Sequence, residues 1–182
     1  MSVSLQVPSR LLARFALSWG CVLFAGGAAV PNAPVPPAAA TALEPLSFFA
    51  GQWDCAGEFT ASQKPIAAHV AAVADLEGAW LSFRWDDKAP GPFHALEMWG
   101  FDKTAKRFTN LIFDNFGGVR RFSSPGWEGS SLVWTLEAAG SPPAAEERFV
   151  FERQAGRQFV VSWQVRKPSA DWKTGDRLTC RG

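Results

Sequence analysis

The chain has 182 residues, of which 47% are hydrophobic and 19% charged, and its formal net charge is +1. That length holds one folded domain beside a short leader, and the composition is that of a globular protein rather than a disordered one. A near-neutral chain without a basic stripe lacks the field that steers nucleic acid or an anionic membrane, so neither is expected as a partner.

Residues 1–14 carry Arg10 and Arg14 and no acid, and residues 15–30, FALSWGCVLFAGGAAV, are apolar and rich in small residues. A basic start, a short apolar run and a small-residue exit describe a secretory signal peptide over residues 1–30, with cleavage in 29–42, after Ala29 or after Ala42. The run is shorter than the roughly 20 residues a membrane helix needs, so no stable membrane span is expected after cleavage. Cys21 follows Ser18, Trp19 and Gly20, which is not a lipidation signal. Residues 31–43 read as a Pro/Ala-rich disordered lead-in.

Residues 44–182 read as one domain, with 16 basic against 17 acidic residues once Arg10 and Arg14 are set aside. EPLSFFA, 44–50, suits a short helical turn that caps a barrel end. FFAGQWDCAGEF, 48–59, opens the first strand, and Trp53, Cys55, Gly57 and Phe59 share one face at period two. IAAHVAAVADL, 66–76, is alanine-rich but reads as a strand between the breaks at Pro65 and Glu77-Gly78. Further strands are expected at 79–87, 93–102, 107–114, 119–124, 132–137, 147–153, 158–167 and 177–181, joined by short Gly-, Asn- and Pro-containing turns. About ten strands without a long crossover predict an all-β fold, a single up-and-down barrel, with a sandwich as the alternative.

Export and loss of the leader would leave two cysteines, Cys55 and Cys180. An even pair in an oxidising compartment suggests a disulfide that joins the first strand to the last. The residues would then face the same way on adjacent strands.

The opening Gly51-Gln-Trp53 resembles the first strand of lipocalin-type (calycin) barrels, and more distantly that of nitrobindin-like barrels. Phe48 to Trp53, His94 to Asp102, Asp114 to Gly118 and Ser124 to Trp127 are similar to motifs of secreted bacterial lipocalin-like domains. The resemblance covers most of 44–182 and implies a barrel with an internal cavity, but no particular activity. In lipocalins an arginine near the last strand often pairs with the opening Trp, which would here be Arg177 or Arg181. Nitrobindin-like proteins hold haem through a late histidine. This chain has His69 and His94 and none beyond, so no haem, and no other cofactor, is expected.

Two histidines without a cysteine cluster also give no metal site, and on a strand His94 and Glu97 point to opposite faces. There is no G-x-S-x-G nucleophile. The candidate acid–base residues are His94 and Asp114, with Asp86 or Glu97 to orient the histidine across strands. Arg84 would need an acidic partner or an anionic ligand if it faced inward, and only one of Arg120 and Arg121 can do so. Nine Trp and fifteen Phe, with no Tyr, supply aromatic walls. Trp53, Trp80, Trp99, Trp134 and Trp163, with Arg84 and His94, are the candidate ligand-binding set. The first expectation is an exported barrel that binds a small hydrophobic or aromatic molecule without catalysis. The alternatives are a lipocalin-fold isomerase or hydrolase working through His94 with a nearby carboxylate, and a structural envelope-interaction module.

Overall fold

The structure is a computed structural model that describes residues 42–91, 93–137 and 145–182. The expected signal peptide and nearly all of the lead-in lie outside the described residues.

A 3₁₀ turn, Glu44–Phe49, leads into β1 (Gly51–Phe59). Then follow β2 (Pro65–Asp75), β3 (Trp80–Ala89), β4 (His94–Asp102), β5 (Arg107–Asp114) and β6 (Val119–Ser124). The two-residue β7 (Trp127–Glu128) precedes β8 (Ser131–Leu136), β9 (Glu146–Arg153), β10 (Gln158–Arg166) and β11 (Lys173–Arg181). Ten strands form a closed antiparallel ring, because β1 pairs with β11 and β6 pairs with β8; β7 is attached to β8 alone. This is the expected all-β, up-and-down barrel, in which closure leaves no long unpaired edge.

The alanine-rich segment is a strand. Ile66, Ala68, Val70 and Ala72 are buried at period two, and β1 and β3 pair with it on either side. Two ladders satisfy its backbone, and tertiary pairing overrides the helical preference of alanine. The last strand begins at Lys173 rather than at 177. The register slips between Trp163 and Gln164, so that Gly175 becomes the extra residue of a bulge. Gly and Asp in K-T-G-D read as turn residues, but here they serve a bulge inside a ladder. Gly175 lies under the Trp163 ring, which leaves no room for a side chain.

Inward positions alternate with outward ones on every barrel strand. One end is solid. The 3₁₀ turn tucks Leu46 and Phe49 inside, where they are 1% and 0% exposed. The Phe49 ring meets Trp99 at 5.1 Å, Phe159 at 5.3 Å, Phe151 at 5.5 Å and Trp127 at 5.6 Å between centroids. The Trp53 indole N–H donates to the Phe49 carbonyl at 2.7 Å, and that of Trp127 donates to the Pro45 carbonyl at 2.7 Å. Leu43, at the end of the expected lead-in, is buried with this cluster.

Two seams close the ring. At the first, Cys55 and Cys180 are register partners of β1 and β11, 4.0 Å apart at Cα, and are joined by a disulfide. Gly57 lies opposite Leu178 on the same pair, where a Cβ would collide with the Arg177 carbonyl. At the second, the described residues of β6 and β8 share the pairs Phe122–Leu136 and Ser123–Thr135, and the Glu137 N–H donates to the Arg121 carbonyl at 2.8 Å. Side chains reinforce this shorter seam. Outside, Glu137 takes Arg121 at 3.1 Å and Arg107 at 2.9 Å. Inside, Arg120 reaches across to Glu147 at 2.6 Å.

Candidate functional site: the open-end cavity

The end opposite the 3₁₀ turn is hollow. It encloses a cavity of about 280 Å³ that draws on β1 to β6 and on β9 to β11. The floor is apolar: Ile66, Ala95, Ile112, Phe151, Val161 and Leu178. Phe59, Trp85, Phe93, Phe149 and Trp163 form the aromatic walls. Asp87, Glu97, Arg120 and Asp176 are the charged groups of the lining. The period-two alternation places these residues inward, as it places Trp53 and Phe49's neighbours inward below.

The polar groups are held by one another and by indoles. Trp85 Nε1 donates to Asp87 Oδ1 at 2.8 Å; the two are separated by two positions on β3 and so share a face. Trp99 Nε1 and Asn110 Nδ2 both donate to Glu97 Oε2, at 2.8 and 2.7 Å. Trp163 Nε1 donates to Glu147 Oε1 at 2.9 Å, and the Trp163 backbone N–H donates to Asp176 Oδ1 at 3.3 Å. Arg120 is engaged by Glu147 and lies 3.9 Å from Asp114. Among the described residues no Lys or Arg forms an ion pair with Asp87, Glu97 or Asp176.

Burial dominates the acid strengths of these three carboxyls. Desolvation pushes Asp176 up to about 6, against the pull of the Trp163 N–H and with a further push from the Asp87 charge. Desolvation likewise raises Asp87, opposed by the Trp85 N–H and by His94. It raises Glu97 against the pull of Trp99, Asn110 and Arg120. Low-dielectric surroundings disfavour a charge that lacks a counterion, and all three shifts share that cause.

The candidate residues read from the sequence fall in four places. Trp163 lines the cavity. Trp53, Trp99 and Trp134 face inward but are sealed in the solid end, at 1%, 0% and 0% exposure. Arg84 and His94 lie on the outward period of β3 and β4, and both are exposed. Trp80 stands at the closed rim, where its ring covers Gly100 and borders a groove beside Leu43 and Leu46.

His94 does meet a carboxylate, since its Nδ1 lies 2.9 Å from Asp86 Oδ1, but on the outside of the barrel. His69 is outside too, between Asp54 at 3.2 Å and Gln52 at 2.7 Å. Asp54, His69, Asp86 and His94 are successive register partners across four strands, an alternating ladder on the outer wall. Hydrogen bonds from His69 and Lys88 hold Asp54 below the usual carboxylate range. Asp114 faces inward, yet its Oδ1 accepts the backbone N–H groups of Phe116 and Gly118 at 3.0 and 2.8 Å, which is the chemistry of the turn.

The sequence reading missed Asp87 and Asp176 as site residues. The Trp85/Asp87 spacing was a usable signal, since i and i+2 share a face on a strand. Asp176 was hidden by the reading of K-T-G-D as a loop. Arg157, not Arg177 or Arg181, covers the opening tryptophan: its guanidinium carbon is 4.6 Å from the Trp53 ring centroid. Arg177 instead pairs with Glu152 at 3.1 Å.

Among the described residues no group of three or more His, Cys, Asp or Glu side chains could hold a metal ion. No helix among them is long and apolar enough to cross a membrane. No protein-family model and no curated protein sequence matches this chain.

Proposed function

We propose that this barrel binds a small molecule with an apolar or aromatic body in its open-end cavity, as a carrier or sensor rather than an enzyme. The observation that carries this reading is the asymmetry of the interior. Side chains fill one end completely, while the other encloses about 280 Å³ between aromatic walls and an apolar floor. A small barrel either fills its interior or leaves room for one ligand, and this one does each at a different end. The volume sits at the lower edge of the range for small-molecule sites, which favours a compact ligand.

The Gly51-Gln-Trp53 opening and the closed antiparallel barrel with its cavity support a place among lipocalin-like (calycin) barrels, whereas the arginine over Trp53 comes from the β9–β10 turn and not from the last strand. The disulfide across the closure supports an exported protein, because such bonds persist in oxidising compartments. The enzyme alternative built on His94 gains no support, since that histidine and its aspartate lie outside the cavity.

The test is native mass spectrometry of protein purified from an oxidising export compartment, set against its denatured mass. Extra mass in the native state that denaturation removes is expected. Trp85 and Trp163 line the cavity, so added apolar ligands should quench tryptophan emission. No extra mass and no quench across a panel of small apolar and aromatic compounds would refute the reading.

A further inference from the structure

We infer that the ligand of this cavity carries a positively charged amine, held between Asp87 and Asp176 at the Trp85/Trp163 wall; this rests on the cavity reading and specifies its ligand class. The argument begins with the charges. Among the described residues five carboxyl groups face the interior of this end: Asp87, Glu97, Asp114, Glu147 and Asp176. The one Lys or Arg of those residues that they meet is Arg120, which Glu147 takes at 2.6 Å, with Asp114 at 3.9 Å. Glu97 has two neutral donors, Trp99 Nε1 and Asn110 Nδ2. Among the described residues Asp87 accepts a hydrogen bond from the Trp85 indole N–H and Asp176 one from the Trp163 backbone N–H, and neither forms an ion pair with a Lys or Arg.

An acidic charge in a desolvated wall is unfavourable without a counterion, and an incoming cation supplies it. The two groups also sense each other, since the Asp87 charge adds to the upward push on Asp176. One ammonium group between them relieves both burial and repulsion.

The surroundings select an organic cation over a metal ion. Among the described residues these carboxyls do not converge as metal ligands do. Their nearest walls are aromatic. Trp85 and Trp163 both line the cavity, and each has its indole N–H committed to a carboxylate, at 2.8 and 2.9 Å. Committing the ring edge to an acceptor fixes the ring, and its face attracts an ammonium group. The apolar floor of Ile112, Phe151 and Val161 would take the body of the same molecule. A carboxylate-bearing ligand would face the opposite balance: of the described lining only Arg120 could receive it, at the expense of the bridge that reinforces the β6–β8 seam.

The experiment compares three probes of matched body by titration calorimetry at pH 7.5: 2-phenylethylamine, 2-phenylethanol and 3-phenylpropionate. The amine should bind at least tenfold tighter than the alcohol, and the carboxylate weakest. The Asp87→Asn/Asp176→Asn double variant should abolish the preference for the amine and leave the affinity for the alcohol within about twofold. Should that variant fail to fold, the intact protein serves: lowering the pH from 7.5 to 4.5 should shrink the amine preference, as Asp176, pushed up to about 6 by burial, takes up a proton among Asp87, Glu97, Asp114, Glu147 and Arg120. Equal or tighter binding of the alcohol would overturn the amine inference while the cavity reading stands. If none of the three binds, the amine inference falls, and the native-mass and quenching test decides the cavity reading by itself.

Discussion

The guanidinium of Arg157 lies over the indole of Trp53, 4.6 Å from carbon to ring centroid, and its Nη2 donates to the Ala50 carbonyl at 3.0 Å. The contact ties the β9–β10 side of the barrel to the chain entering β1, on the solid end. Gly51 belongs to the same arrangement: its φ is +122°, and a side chain there would collide with the guanidinium. Arg157→Ala removes an exposed cation–π contact and one hydrogen bond, together about 1–2 kcal/mol. Urea unfolding should show that loss. Arg157→Lys should recover only part of it, because an ammonium cannot stack on the ring and reach Ala50 with the same planar geometry.

The Cys55–Cys180 bond joins residues 125 apart in sequence. Constraining an unfolded loop of that length stabilises the native state by about 4–5 kcal/mol in the chain-entropy treatment. Cys55→Ser/Cys180→Ser, or reduction, should lower the urea midpoint accordingly. The denatured mass of the native protein should be two hydrogens below that of the reduced chain, and a mass equal to the reduced chain would count against the bond.

Asp176 gives a pH dependence whose sign is fixed. Its folded-state pKa is raised from 3.8 to about 6, chiefly by desolvation, among Asp87, Glu97, Glu147 and Arg120. Between those values the native state holds more protons than the unfolded chain, so this group's contribution to stability falls as pH rises from about 4 to about 6 and is level above. Asp176→Asn should therefore be the more stable protein at pH 7.5, by at most about 3 kcal/mol, with the advantage gone below about pH 4. Melting temperatures of both proteins across pH 4–8 measure it. An advantage that grows toward acid pH would contradict the burial argument.

The 3₁₀ plug is the keystone of the solid end. Phe49 is wholly buried among Phe83, Trp99, Trp127, Phe151 and Phe159. Phe49→Ala should cost about 3–5 kcal/mol, the usual range for a core aromatic. Phe116, 74% exposed on the turn between β5 and β6, should tolerate the same change within about 0.5 kcal/mol. Paired denaturant titrations decide the comparison.

Much of this architecture was legible in the chain itself. Period-two alternation depends only on backbone geometry, so it disclosed the strands, the shared face of Trp53, Cys55, Gly57 and Phe59, and the opposed faces of Arg120 and Arg121. Cysteine parity, once a leader is set aside, pointed to the bond across the closure. Glycine and aspartate, by contrast, say only that the backbone turns or kinks, and the same K-T-G-D that marks a turn also fits a bulge; that ambiguity hid Asp176.

Which face of each strand points inward was a tertiary decision. Trp80, Arg84 and Asp86 alternate with Leu81, Phe83 and Trp85 as regularly as an inward face would, and only the closing of the ring put the first set outside with His94. Nor could alternation divide the inward tryptophans between the solid end and the cavity, because that depends on how far along the barrel the Glu44–Phe49 plug descends. The sequence by itself determined a barrel with aromatic walls. The packing of Phe49 and Trp127 at one end, and the register that brings Asp87 and Asp176 to the other, decided where a ligand has room and which charge it would meet.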